Sequence, residues 1–571
     1  METFLSCDNI TTHQPGLRKT MVEIGLEGLA ARSHVGMGYL VGEEDMVVDV
    51  WNTQTGSQET IIEKPTDFTK EELQKQIAKV NAAKKHELTT LYELGCFRRY
   101  PRRKARNIVD TRWVFKWKSR DSTTATPIDY KGRTIEWLIK ARLTMRGFKD
   151  NDNQLATFAG TATRWGQRVV NAITVQEEDW VLFSFDVSAA FAKGLTSEEL
   201  SELTGEPLRV VQFELNREDS EVLKEIPGFE NFNPREEVLI MVKAVYGLKD
   251  APRAWRKKLH LIQEGFGLVS VYADPQLYVK HVKESTGKST RPAMLLSAHV
   301  DDLKGGAKKK DAMALLDHLE KHVGNCTQQW ADFTHVGIEH VSRPGQIYTQ
   351  QEKYVSQLKE IEKTHYQGLG DEAPVSETGQ AAFATLLGGV AWLCLTMVPI
   401  CVYVQALQRH GAQPRAIDLK KLNVLLRWVR RHKVGILYER QEGQLRLVGV
   451  SDAAFKAIPE DSSGLALRGC VVVLKGDSAT SPAAPNGKAM MLEYVCRRQR
   501  RVVRSTFSGE LNGLIDTIEL LLVVQMCLHQ IMRGSPPSLT EWAAMLDSGQ
   551  LEPPADAAVD ARSVVRLLGC L

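Results

Sequence analysis

Cysteine is sparse and scattered: nine residues in 571, with no C-x-x-C and no regular interval. That argues against a zinc ribbon or a disulfide scaffold and fits a reducing compartment. Residues 1–10 lack a basic stretch followed by an apolar one, so no secretory signal is expected. Internal repeats and extended low-complexity tracts are absent as well, which argues against a solenoid. A net charge of +3 supplies no strong overall field. The basic residues cluster, however, and clustering matters more than the total for a polyanionic partner. One long stretch, residues 378–408, carries no charge. Gly388, Gly389 and Pro399 interrupt it and Gln405 and Gln408 close it, so it reads as two buried helical pieces, and no membrane partner is expected.

What is present suggests a folded chain of several domains, with 43% hydrophobic and 25% charged residues. Residues 1–90 contain few long apolar runs and read as a leader or linker, with a charged helix expected over 66–85. Residues 97–106 and 112–118 mix Arg and Lys with aromatics. Their alternation suggests a hairpin with one basic face, suited to phosphates and stacked bases, or simply a solvated strand over a core. Between about 150 and 345, helices expected near 164–175, after 189 and over 251–264 alternate with strands ending at Asp186 and Asp302. This order predicts an α+β sheet with helices on one face. A basic helix over 417–432 precedes a strand-rich unit beginning near Gly443, which closes with a long helix over 510–532.

The most informative residues are carboxylates ending apolar runs: Asp186 in Val-Leu-Phe-Ser-Phe-Asp-Val and the pair Asp301-Asp302 after Met-Leu-Leu-Ser-Ala-His-Val. Adjacent carboxylates leaving water repel each other and lose hydration, costing several kcal/mol unless a cation binds. Divalent ions about 4 Å apart, held by hard oxygen ligands, can clamp an in-line phosphoryl transfer. Taken alone, the pair also reads as an acidic turn before Lys304-Gly-Gly.

Six anchors in order resemble the reverse transcriptase of Ty1/copia-group retrotransposons, followed by ribonuclease H, over residues 90–571. They are Asp110-Thr-Arg-Trp-Val-Phe-Lys-Trp-Lys118; Ile139-Lys-Ala-Arg-Leu143 with Arg146-Gly-Phe148; Phe185-Asp-Val-Ser-Ala-Ala-Phe191 with Gly194; Ala244 to Trp255; Ala273-Asp-Pro-Gln-Leu-Tyr278; and Val300-Asp-Asp302. The resemblance implies an α+β right hand of fingers, palm and thumb, followed by a ribonuclease H-like α/β domain expected to be C-terminally incomplete. Fingers and palm would occupy 91–345, thumb and connection 346–440, and the nuclease-like unit 441–571. Asp186 and Asp301 would hold two Mg²⁺ ions, with Mn²⁺ as an alternative, and Asp302 would support them. Lys118 and Arg142 would meet the incoming triphosphate. Phe191 would crowd a 2′-hydroxyl, Tyr246 and Gly247 would line the nucleotide pocket, and Lys249 and Arg253 would follow template phosphates. Surface charge is the alternative for Lys118 and Arg142, and core packing for Phe191. Implied partners are an RNA template, a DNA primer and dNTPs, in a cytoplasmic particle or the nucleus.

In the second unit, Asp452 in Gly-Val-Ser-Asp-Ala and Glu510 in Ser-Thr-Phe-Ser-Gly-Glu-Leu match the family's nuclease carboxylates. A third metal ligand is expected at Asp560, which ends an apolar stretch, in preference to Asp547. Asp547-Ser-Gly also spells a tripeptide of aspartic proteases, but without a second copy it reads as a helix N-cap. His299 departs from the family's Tyr before Val-Asp-Asp. It leaves open a remnant that binds nucleic acid without catalysis.

Overall fold

The computed structural model describes residues 46–52, 57–63, 70–121, 135–152, 155–283, 290–454, 467–476, 488–499, 502–503, 505–534, 538–561 and 564. An antiparallel pair, Met46–Asn52 with Ser57–Glu63, comes first. Helix α1 (Ile77–Glu93) follows. It runs further toward the C-terminus than the sequence suggested, because Leu88 and Leu91 on one face are buried with Phe97, Val109 and Leu143 in a shared core. The charged helix expected of a linker is therefore part of the folded body.

Strands β1 (Phe97–Pro101), β2 (Ile108–Asp121) and β3 (Ile135–Met145) join two later strands, β5 (Gln212–Glu214) and β6 (Glu237–Met241), in the order β1-β6-β5-β2-β3. The hairpin expected from residues 97–106 and 112–118 is corrected: Phe97–Pro101 pairs with Glu237–Met241, and the hairpin partner of β2 is β3, with Trp113 opposite Leu143 and Lys118 opposite Leu138. Helix α2 (Arg164–Thr174) is capped by Thr163, whose side chain accepts the Gly166 N–H. Strand β4 (Trp180–Val187) leads to β5 (Gln212–Glu214), helix α3 (Arg217–Lys224), β6 (Glu237–Met241) and helix α4 (Ala251–Gly265), which has Pro in its first turn.

A six-stranded sheet carries the first carboxylate group. Strands β7 (Val269–Val271), β8 (Asp274–Lys283), β9 (Thr290–His299) and β10 (Asp302–Lys308) precede helix α5 (Lys309–Val323) and β11 (Cys326–Trp330). The order is β11-β4-β10-β9-β8-β7. The expectation of helices on one face is corrected. Leu182 and Leu295 share a core with α2, while Phe183, Phe185 and Leu296 point the other way into a core with Trp255 and Leu259 of α4 and Leu315 of α5. Strands that are apolar on both sides require cover on both faces.

A four-stranded antiparallel sheet follows, in the order β12 (Phe333–His335), β13 (Ile338–Arg343), β14 (Gln346–Gln350) and β15 (Ile436–Glu439). Between β14 and β15 lie α6 (Glu377–Leu393), α7 (Cys401–Gln408) and α8 (Ala416–Arg431). The uncharged stretch thus forms two helices, with Phe383, Val390, Val404 and Leu407 buried. Last come β16 (Leu445–Ala454), β17 (Leu467–Gly476), β18 (Met490–Arg498), helix α9 (Thr506–Arg533), helix α10 (Leu539–Asp547) and β19 (Ala555–Val559), in the sheet order β18-β17-β16-β19. Helix α9 is long and apolar enough by composition to cross a membrane. Here Leu521, Val524 and Leu528 are buried in the same core as Val448 and Val471 of the sheet.

Candidate active sites

The first site is built by two neighbouring strands and a turn. Asp186 near the end of β4 lies opposite Asp302 at the start of β10, which places both side chains on one face. The expected strand ending at Asp302 is corrected. Strand β9 stops at His299, Asp301 occupies the turn, and Asp302 opens the next strand. Val300 in that turn has φ +58°, a costly value for a β-branched residue. Its carbonyl accepts Trp255 Nε1–H at 2.6 Å, and the Asp301 carbonyl accepts the Val187 N–H at 3.2 Å. The turn is therefore held from both sides.

Burial raises the Asp301 carboxyl pKa, and the Asp186 charge adds to the effect. Asp302 is pushed up to about 7 by burial and by the charges of Asp301 and Asp186. Carboxyls raised in this way by burial and neighbouring charge are suited to a cation. Burial pushes His299 down to about 4, so its imidazole is neutral at neutral pH and adds no positive charge beside them. Lys193, which the sequence reading did not single out, is half-buried within reach of the Asp186 charge. Its only sequence signal was its place in the short turn after Asp186.

Three further residues converge here. The Arg142 guanidinium lies 4.2 Å over the Tyr246 ring, and Phe191 meets the same ring edge-on at 5.2 Å between centroids. Burial raises the Tyr246 hydroxyl, Arg142 opposes that, and Asp301 and Asp186 contribute to it, so ring and carboxylates share one electrostatic neighbourhood. Gly247 has φ +90°, and a Cβ there would strike the Met145 carbonyl. Its close approach is to the end of β3, where Met145 N–H also donates to the Tyr246 carbonyl at 2.8 Å. Lys118 pairs in the hairpin, but its side chain lies outside the described residues. Lys249 donates to the carbonyls of Asp150 and Asp152, and Arg253 makes two bonds to Glu206, at 2.6 and 2.7 Å. Both cations are thus engaged within the fold.

The second site is tighter. Strand β19 runs parallel to β16 with Ser451 opposite Val559, so the residues that follow, Asp452 and Asp560, end side by side. Helix α9 sits close on β16 because Gly513 has no side chain; a Cβ there would come within 3.1 Å of Ser451 Oγ. That seating delivers Glu510 from the first turns of the helix. Asp452, Glu510 and Asp560 each offer an oxygen, and these oxygens lie within 4.8 Å of one another, the one such group among the described residues. Glu510 is pushed up to about 8 by burial and by Asp452 and Asp560, and its Oε2 is buried without a hydrogen-bond partner among the described residues. An orphaned carboxylate oxygen facing two others fits a bound cation. Asp547 is exposed at the C-terminal end of α10 and takes no part. The N-cap expectation there is corrected: Ser548 closes the helix, and Gly549 follows with φ +66°.

No family model matches the chain. The retrovirus-related Pol polyprotein from transposon RE1 of Arabidopsis thaliana is 21% identical over 434 residues, covering 72% of this chain and 25% of that protein. The corresponding polyprotein from transposon RE2 of the same plant is 21% identical over 429 residues, with the same coverages. That from transposon TNT 1-94 of Nicotiana tabacum is 24% identical over 236 residues, 41% of this chain and 15% of its own length. The chain is related to the retrovirus-related Pol polyproteins of copia-type transposons. It spans about a quarter of the length of the first two relatives. Among solved structures, a foamy viral protease-reverse transcriptase in complex with double-stranded DNA overlays 78% of this Pol-related chain and 67% of its own, with 10% identity and a TM-score of 0.37.

Proposed function

We propose that this Pol-related chain is an RNA-directed DNA polymerase of a copia-like element, with a second site that hydrolyses the RNA strand. The observation that carries the reading is the register of Asp302 against Asp186, with Asp301 in the adjoining turn and Arg142, Tyr246 and Phe191 gathered beside them. In this reading the sheet with β4, β9 and β10 is the palm, the β2–β3 hairpin belongs to the fingers, α6 to α8 form the thumb and connection, and β16 to β19 with α9 form the ribonuclease H-like unit.

Asp186 and Asp301 would hold Mg²⁺, with Asp302 supporting them, and Asp452, Glu510 and Asp560 would hold it at the second site. Bound there, the ions would promote deprotonation of the attacking hydroxyl or water and neutralise charge on the leaving group. The protein's own part is positioning. Arg142 would meet the triphosphate of an incoming dNTP through its planar fork, and Phe191, held against Tyr246, would crowd a ribose 2′-hydroxyl. Lys118 is a further triphosphate contact. RNA template and DNA primer would lie across the hairpin and palm, with Lys249 and Arg253 steadying the loops beneath the template.

Primer extension on poly(rA) with oligo(dT) in Mg²⁺ tests the reading. Wild type extends the primer, and Asp301→Asn with Asp302→Asn reduces the rate by a factor on the order of 10³ or more, the scale of losing groups that act only in the transition state. Absence of Mg²⁺-dependent extension by folded wild type overturns it and leaves a nucleic-acid-binding remnant, recognisable by salt-sensitive binding alone.

A further inference from the structure

Glu87 lies on α1, ahead of every motif that resembles the polymerase family. Helix α1 packs along β3, which is the edge strand of its sheet among the described residues, so no described strand accepts the outward N–H groups of β3. One of them is taken by the helix: Leu143 N–H donates to Glu87 Oε1 at 3.3 Å. The helix is pinned on the same side by Lys84, one turn earlier. Its ammonium bonds Asp219 of α3 at 2.6 Å, with both groups buried, and stands 5.7 Å from the centre of the Trp113 ring on β2.

A carboxylate is an expensive choice for a half-buried helix face that an aliphatic side chain could fill. Burial does raise the Glu87 carboxyl, and the Leu143 N–H opposes that shift, followed by the charges of Arg142, Lys140 and His86. Glu87 is also among the charges felt by the Tyr246 hydroxyl, together with Arg142, Asp301 and Asp186. The residue that Glu87 anchors is thus the neighbour of Arg142, the side chain stacked on Tyr246.

We propose that Glu87 is a positioning residue for the nucleotide pocket: by accepting the Leu143 N–H it fixes the edge-strand segment from which Arg142 reaches over Tyr246 toward the triphosphate. This deepens the polymerase reading and rests on it. Glu87 acts through the backbone of Leu143 and touches no substrate.

Equilibrium binding of labelled dTTP to the full chain on a primer-template, with Ca²⁺ replacing Mg²⁺ to prevent turnover, separates the two ideas. Glu87→Met keeps the volume but offers the N–H no oxygen. It is expected to weaken dTTP binding about tenfold, the scale of one hydrogen bond to a charged group, while leaving primer-template affinity unchanged. Glu87→Gln retains an acceptor oxygen and is expected to restore binding to within about twofold of wild type. Equal dTTP affinity in Glu87→Met and wild type overturns the proposal. So does equal weakening in the Met and Gln variants, or a parallel loss of primer-template binding, which would mark a merely structural role. Arg142→Ala reports on the underlying reading. If it leaves dTTP affinity unchanged, or if wild type binds no dTTP, the pocket itself is misassigned; if it weakens binding while Glu87→Met does not, only the present proposal fails.

Discussion

At the residue scale, the governing fact is that both sites hold carboxyls driven toward their neutral form. The pKa of Asp302 rises to about 7 and that of Glu510 to about 8, each through burial first and neighbouring carboxylates second. A carboxyl whose pKa is higher folded than unfolded favours the fold below about pH 4, and that contribution is lost as pH rises through 7 to 8. Metal-free protein in EDTA is therefore expected to gain thermal stability at pH 8 on Asp302→Asn or Glu510→Gln, by roughly 2 °C or more. The gain should shrink toward pH 5, and Mg²⁺ should raise the wild-type melting temperature at pH 8. A pH-independent difference would show that the carboxyls are not strained in this way. The choice between Asp560 and Asp547 is testable at the same scale. RNA-strand cleavage should fall on the order of 10²-fold or more in Asp560→Asn and stay near wild type in Asp547→Asn, as measured on a labelled RNA–DNA hybrid. The preference for Asp560 was legible because it ends an apolar run. The orphaned Glu510 oxygen was not, since it depends on how closely a helix seats on a distant strand.

At the scale of elements, α2 carries unusual weight. Residues 165–174 are all buried, including Arg168 and Gln167, which no amphipathic pattern would predict for a surface helix. The cover comes from β18. Arg164 Nε donates to Glu493 Oε1 at 2.7 Å, Arg168 reaches the same carboxylate at 3.4 Å, and Arg164 stacks 4.1 Å from the Tyr494 ring centre. Tyr494 in turn donates its hydroxyl to the Cys394 carbonyl at 2.6 Å at the end of α6. On its other side α2 accepts Lys304 of β10, through the Gln167 carbonyl at 2.9 Å and Asn171 Oδ1 at 3.2 Å. One helix thus links the strand that begins at Asp302 to the sheet that carries Asp452. Removing the shared anion leaves two guanidiniums with carbonyl partners only, Tyr494 for Arg164 and Leu395 for Arg168, so Glu493→Gln is expected to destabilise the protein by about 3 kcal/mol, the usual cost of breaking a buried pair from one side. Denaturant unfolding monitored by tryptophan fluorescence would show it. An unchanged midpoint would mean that water or nearby carbonyls already satisfy the guanidiniums.

At the scale of the whole molecule, a single core extends from Trp165 and Leu295 through Phe383 and Leu426 to Leu447, Leu492 and Leu528. The sequence boundary near residue 440 is therefore no break in packing. A chain ending at residue 440 would expose the β18-facing side of α2 together with Arg164 and Arg168. It is expected to lose the soluble, folded six-stranded sheet, whereas the full chain should unfold with one coincident transition by fluorescence and circular dichroism. Two transitions well separated in temperature would overturn that expectation. The sequence by itself determined most of the strands and helices around the carboxylates, because apolar runs, caps and the acidic endings are local features of the chain; the helix expected after residue 189 is only a short turn, Ala190–Lys193. The sequence also determined the order of motifs that resembles a polymerase followed by a nuclease. Tertiary structure alone decided that α1 belongs to the body, that helices cover both faces of the central sheet, and that Arg253 and Lys249 are engaged within the fold. Each of these depends on which distant surface meets a given face. Periodicity along a chain reports that a face is apolar, but not what will cover it.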